Sequence, residues 1–161
     1  MNILAIDPGP EESSYVLVDH KYNILQAEDI KIDDLLHLPG KHSRFLEAKI
    51  DLVLVESIVP FGRIFGHDLI KTVRIEGRIV QRCMDRNLPY ELIPRKQYAT
   101  ALIGQGRGRI NDAGLKKALE LRFNQKYGKG SLLNSSHRRS AFAMAVWRLD
   151  KIFFQNRSLV K

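Results

Sequence analysis

Cysteine is almost missing from this chain: Cys83 stands alone among 161 residues. That excludes an internal disulfide and any zinc cluster built on cysteine pairs, and it fits a reducing, intracellular setting. Long apolar runs are missing too. Nothing approaches eighteen consecutive apolar residues, so no membrane-spanning helix is expected. The opening "MNILAIDPGP" has no basic lead and soon meets Asp7, which is not the pattern of a secretory signal. Polar low-complexity tracts and internal repeats are absent, and 44% of the residues are hydrophobic. The chain therefore reads as one globular domain over residues 1–161.

Acid is scarce in one part only. Residues 1–100 carry 13 Lys/Arg against 15 Asp/Glu, whereas residues 101–161 carry 13 against 3. A surface so biased suits a polyanion, nucleic acid first, although a solvated basic face without a partner would look the same.

The apolar pattern supplies the organisation. "NILAID" (2–7) is apolar without alternation, as in a strand buried on both faces. After "DPGPEESS" come "SYVLVD" (14–19) and "YNILQAEDI" (22–30), which complete an antiparallel meander. A weak helix over 33–48 is interrupted by Pro39 and Gly40, and "DLVLVE" (51–56) is a second fully apolar strand. From 66 to 87 the period becomes helical, with Ile70, Val73, Gly77, Val80 and Met84 forming an apolar stripe. Gly77 on that stripe predicts a close approach by another backbone. "PYELIP" (89–94) is a short strand and "RKQYATALIG" (95–104) a short helix. The basic loop "GQGRGRIN" leads to a helix starting near Asn111 or Asp112. A final helix follows Ser135 or Ser136, either of which can cap it. The order predicts an α/β fold with a mixed sheet, its first and fourth strands central and adjacent.

Asp7 and Glu56 end those two strands. On parallel neighbours the backbones would lie roughly 4.8 Å apart, and two carboxylates so close repel unless a cation joins them. Mg²⁺ suits the task, since it takes carboxylate oxygens and keeps water for a substrate phosphate. Either residue alone would more simply cap the "DPGP" turn or meet solvent. Together they predict metal-assisted phosphodiester hydrolysis, in its usual two-metal form. His137 and Ser140, one turn apart at the start of the last helix, can face the same way. His137 could ligate the metal or take a proton from the attacking water, or simply stand at the helix start in solvent. Ser140 is a poor ligand compared with Asp. Asp112 is the only acid between Glu91 and Glu120; it could join the ligands or cap its helix.

In this order, "LAIDPG", "LVLVES", a helix with a mid-stripe glycine and "SSHRRSAFAMAVW" resemble the RuvC-type Holliday-junction resolvases of the RNase H-like fold. The likeness covers nearly the whole chain. "VESIVPFG", "PRKQYATALIG" and "NDAGLKKALELRF" look closest to a phage-associated branch of that superfamily. The resemblance implies a five-stranded mixed sheet, three antiparallel strands followed by parallel ones, with helices on both faces. It implies Mg²⁺, with Mn²⁺ as a substitute, held by Asp7, Glu56 and His137. In some members the last helix carries His and, three positions later, Asp; here His137 matches and Ser140 occupies the Asp position. The implied partners are branched DNA, four-way junctions above all, and a second copy packed through the long helix after the fourth strand. A bacterial or phage-infected cytoplasm is the implied setting. Phe61 or Phe65 would probe the junction, and Arg95, Lys96, Arg107, Arg109, Arg138 and Arg139 would meet phosphates.

Two functions follow as expectations: an active endonuclease, and a relative that binds branched DNA without cutting, to which Ser140 points. An actin-like or sugar-kinase-like ATPase shares the first strand and its turn. It is disfavoured by length, by the lack of a second glycine-rich phosphate loop and by the basic charge.

Overall fold

The computed structural model describes residues 1–31, 49–59, 66–104 and 110–158. Five strands form one sheet: β1 (Asn2–Asp7), β2 (Glu12–Asp19), β3 (Ile24–Lys31), β4 (Leu52–Ser57) and β5 (Tyr90–Pro94). Their order is β3-β2-β1-β4-β5. β1 pairs antiparallel with β2 and parallel with β4, and β4 is parallel to β5. The two most apolar strands are thus central neighbours, as their composition predicts. Four helices complete the described chain: α1 (His67–Asp85), α2 (Arg95–Ile103), α3 (Asp112–Phe123) and α4 (Ser136–Ser158). The predicted helix over 33–48 lies outside the described residues.

Alternation along the strands feeds two cores. Ile3, Ala5, Val16, Val18 and Leu54 face α2, α3 and α4. Leu4, Ile6, Tyr15, Leu17, Val53 and Val55 face α1 through Ile75, Ile79 and Cys83. Helices therefore cover both faces of a mixed sheet, the predicted α/β arrangement.

β2 begins at Glu12, two residues before the predicted start. The turn is tight enough for this because Gly9 lies against the Glu12 carbonyl. A Cβ at position 9 would come within 2.2 Å of that oxygen, a clash only glycine avoids. At the other end of the fold, Asn111 rather than Asp112 caps α3, its side chain accepting from the Gly114 N–H at 2.8 Å. Asp112 is released for another partner. Ser135 caps α4, its Oγ accepting from the Arg138 N–H at 3.1 Å.

The apolar stripe predicted for α1 is on the wrong side for the core. α1 buries Thr72, Ile75, Ile79 and Cys83, while Ile70, Val73 and Met84 are 42%, 45% and 55% exposed. A Cβ on Gly77 would meet nothing within 4 Å, so among the described residues no backbone approaches it. The helix has two apolar faces, and the sheet selects the one whose β-branched and sulfur side chains fill the space above β1 and β4.

Candidate active site

Ile6 pairs with Val55 at the end of the parallel ladder, and Asp7 and Glu56 each lie one residue further along their strands. The carboxylates consequently share the C-terminal edge of the sheet, where ligands of open α/β sheets gather. Asp7 is 7% exposed, and the Glu56 side chain is 13% exposed. Neither has the solvent that a surface acid would use. Burial, reinforced by the negative charge of Asp7, pushes the Glu56 carboxyl up to about 7. Tyr98, Arg95 and His137 pull it back only in part.

Two elements supply those neighbours. α2 follows β5 without a loop, so its first residue, Arg95, projects over the end of the sheet. One turn later the Tyr98 hydroxyl, fully buried, donates to Glu56 Oε2 at 2.6 Å. α4 carries His137 over β1, where its Nδ1 lies 3.1 Å from Asp7 Oδ2. That bond holds the imidazole above its ordinary pKa, against partial burial. The Asp7 carboxylate thus faces α4 rather than merely closing its own turn.

Arg95 lies at the centre. Its Nη1 donates to Ser140 Oγ at 2.8 Å and lies 3.8 Å from Glu56 Oε1, while Nη2 pairs with Asp112. Burial works against its charge, and Tyr98, Glu56, Asp112 and Asp7 more than compensate. Ser140 is fully buried; its hydroxyl is spent on the protein interior, and His137 one turn earlier faces Asp7 instead.

Among the described residues, no three His, Cys, Asp or Glu side chains gather closely enough to hold an ion between them. The Asp7–Glu56 pair nevertheless fits one divalent cation. Two buried carboxylates, one of them forced to hold its proton near neutrality, are a donor set that Mg²⁺ or Mn²⁺ would relieve, leaving water and phosphate to complete the coordination. Asp112 faces the guanidinium of Arg95.

The remaining basic candidates divide. Lys96 is exposed on α2, next in sequence to Arg95. Arg138 is tied to Asp29 of β3 at 2.8 Å and to the Leu132 carbonyl at 3.3 Å. Arg139 donates to the carbonyls of Leu133 and Asn134 at 3.0 and 2.8 Å. Both brace the loop before α4. Phe61, Phe65, Arg107 and Arg109 lie outside the described residues. Arg122 and Arg148 are also paired, with Asp150 and Glu91, so part of the basic surplus of the last third ties α4 to its surroundings. Tyr98 was not anticipated. Its only sequence signal is that it stands one turn after Arg95 on the helix leaving the sheet edge.

Comparison with solved structures gives the fold a relative. The Thermus thermophilus RuvC structure superposes with a TM-score of 0.66 at 14% identity, over 94% of this chain and 96% of that one. T. thermophilus RuvC in complex with a Holliday junction substrate gives a TM-score of 0.62 at 15% identity, over 91% of each chain. No protein-family model and no curated relative matches the chain. The chain has the RuvC fold.

Proposed function

We propose that this protein is a metal-dependent endonuclease for branched DNA, with the four-way junction as its first substrate. The buried Asp7–Glu56 pair at the edge of β1 and β4 carries this reading. Burying two carboxylates side by side is unfavourable for folding alone, and a cation with a phosphodiester gives the pair a use. The RuvC fold supports the choice of branched DNA, since one of the similar structures is a complex with a Holliday junction.

In this reading Asp7 and Glu56 would hold Mg²⁺, or Mn²⁺ in its place, and the bound ion would supply Lewis acidity toward the phosphate and the attacking water. Tyr98 fixes the Glu56 carboxylate by occupying Oε2. His137, oriented through Nδ1 by Asp7, presents Nε2 to the attacking water and accepts its proton when the imidazole is neutral. Water oxygen bonds to phosphorus, the bond to the leaving oxygen breaks, and that oxygen is protonated from solvent. Lys96, with Arg107 and Arg109 of the glycine-rich loop, holds flanking phosphates; Phe61 or Phe65 probes the branch. Arg138 and Arg139 can contribute only while they brace the loop before α4. The exposed Ile70–Val73–Met84 stripe, with Gly77 open between, pairs two copies so that two sites face opposed strands.

A labelled four-way junction incubated with Mg²⁺ or Mn²⁺, beside Asp7→Asn, tests this. Paired nicks lost in the variant are expected. Salt-sensitive junction binding without nicks would establish the second reading, a binding protein that does not cut. If no branched or duplex DNA is bound or cut, the proposal is wrong.

A further inference from the structure

We infer that Arg95 is the built-in second cation of this site, so that the crevice takes one divalent ion, between Asp7 and Glu56, rather than two. This rests on reading the crevice as a phosphodiester-cleaving site, and it explains why position 140 is Ser.

The contacts carry the inference. A second metal ion would need free carboxylate oxygens on the α3–α4 side of Glu56. That side is filled by one guanidinium, within 3.8 Å of Glu56 Oε1, paired with Asp112 and bonded to Ser140 Oγ at 2.8 Å. The three groups lie on β4, α3 and α4, and the side chain reaches them from the first residue of α2. An arginine fork satisfies such a set because its donors spread in one plane, which a lysine cannot reproduce.

Charge balance agrees. With His137 neutral, as a proton acceptor must be, Asp7, Glu56 and Asp112 against Arg95 leave two negative charges, which one divalent ion neutralises. A second ion would leave the closed crevice positive and lie beside the guanidinium with little water to screen it. An acid at position 140 would draw Arg95 away from Glu56. The buried Ser140 hydroxyl accepts one N–H and leaves the positive charge available to Glu56 and, at the open edge, to phosphate. A guanidinium there can steady charge developing on the leaving oxygen, the usual task of the second ion.

The test counts ions. Anomalous diffraction from crystals of the full chain in saturating Mn²⁺, paired with calorimetric titration, should give one Mn²⁺ per chain, between Asp7 and Glu56. Ser140→Asp alone should still bind one, because the new carboxylate pairs with Arg95. Arg95→Ala combined with Ser140→Asp should bind two. If the double variant does not fold, Arg95→Lys serves instead, with one ion expected and the guanidinium geometry lost. Two ions in the unaltered protein, in Ser140→Asp or in Arg95→Lys overturn the inference, as does a folded double variant that still binds one. The unaltered protein binding two ions and nicking junctions would remove the role of Arg95 and keep the proposed function. Binding no ion would remove both the inference and metal-dependent cleavage.

Discussion

α1 and α4 are the two long helices of the fold, and they use apolar residues in opposite ways. α1 is amphipathic twice over. Ile75, Ile79 and Cys83 seal one face of the sheet, while Ile70, Val73 and Met84 look outward. α4 has no polar face through its middle: Ser140 to Val146 are all fully buried or nearly so, because the sheet lies on one side and α2 and α3 on the other. The exposed stripe of α1 has value only if something outside covers it. The apolar middle of α4 holds the fold together, and its first turn closes the crevice. A helix buried all round can therefore hold a side chain such as His137 rigidly at its end, whereas a helix lying on the surface can offer a contact without endangering the core.

The comparison breaks most easily at the centre of α4. Phe142, 1% exposed and in contact with the rings of Phe123 and Tyr127, should cost about 3–5 kcal/mol when changed to Ala. Thermal or urea unfolding measures this, and a loss below about 1 kcal/mol would contradict the packing described. Next comes the site itself. The raised Glu56 pKa means the folded state holds a proton that the unfolded chain releases near 4.5. Stability from this group therefore falls as pH rises from about 4.5 to about 7, and the deficit is complete above that window. Glu56→Gln should raise the stability at pH 8 by up to about 3 kcal/mol and flatten the pH dependence of Tm. An unchanged pH profile would mean that burial and the Asp7 charge do not raise the Glu56 carboxyl.

Ser135→Ala, which removes the cap of α4, should cost about 1 kcal/mol. It should also loosen His137, which thermal melts and the line widths of the imidazole NMR signal can follow. The smallest effect on the fold itself belongs to α1. Val73→Glu should change monomer stability by less than about 0.5 kcal/mol, being half exposed; if the stripe pairs two copies as proposed, sedimentation should show the unaltered protein as a dimer and this variant as a monomer. A variant that stays dimeric would move the interface elsewhere.

The meeting of Asp7, Glu56 and His137 in the candidate site was legible because a short list of residues combined two unlike signals. Asp7 and Glu56 stood out as acids ending strands too apolar to lie anywhere but the centre. His137 stood out as a lone imidazole opening the last helix. Tyr98 and the central place of Arg95 were not legible, since a helix with no clear polar face gives no hint of which side chains turn back over the sheet edge. The stripe on α1 was legible as a stripe but not as an outward one. Periodicity reports that apolar residues share a face, and two such faces on one helix compete for the core on shape alone.

From the amino-acid order came the strand sequence, the central pairing of β1 with β4, the caps near Asn111 and Ser135, and the convergence of two acids. Each follows from local pattern or from the burial that a continuous apolar run demands. Only the tertiary structure decided that Asp112 pairs with Arg95, that Arg138 and Arg139 brace a loop, and that Ser140 meets a guanidinium. Those outcomes depend on which charges meet across elements far apart in the chain, and opposite charges carry no record of their partners until the backbone brings them within a few ångströms.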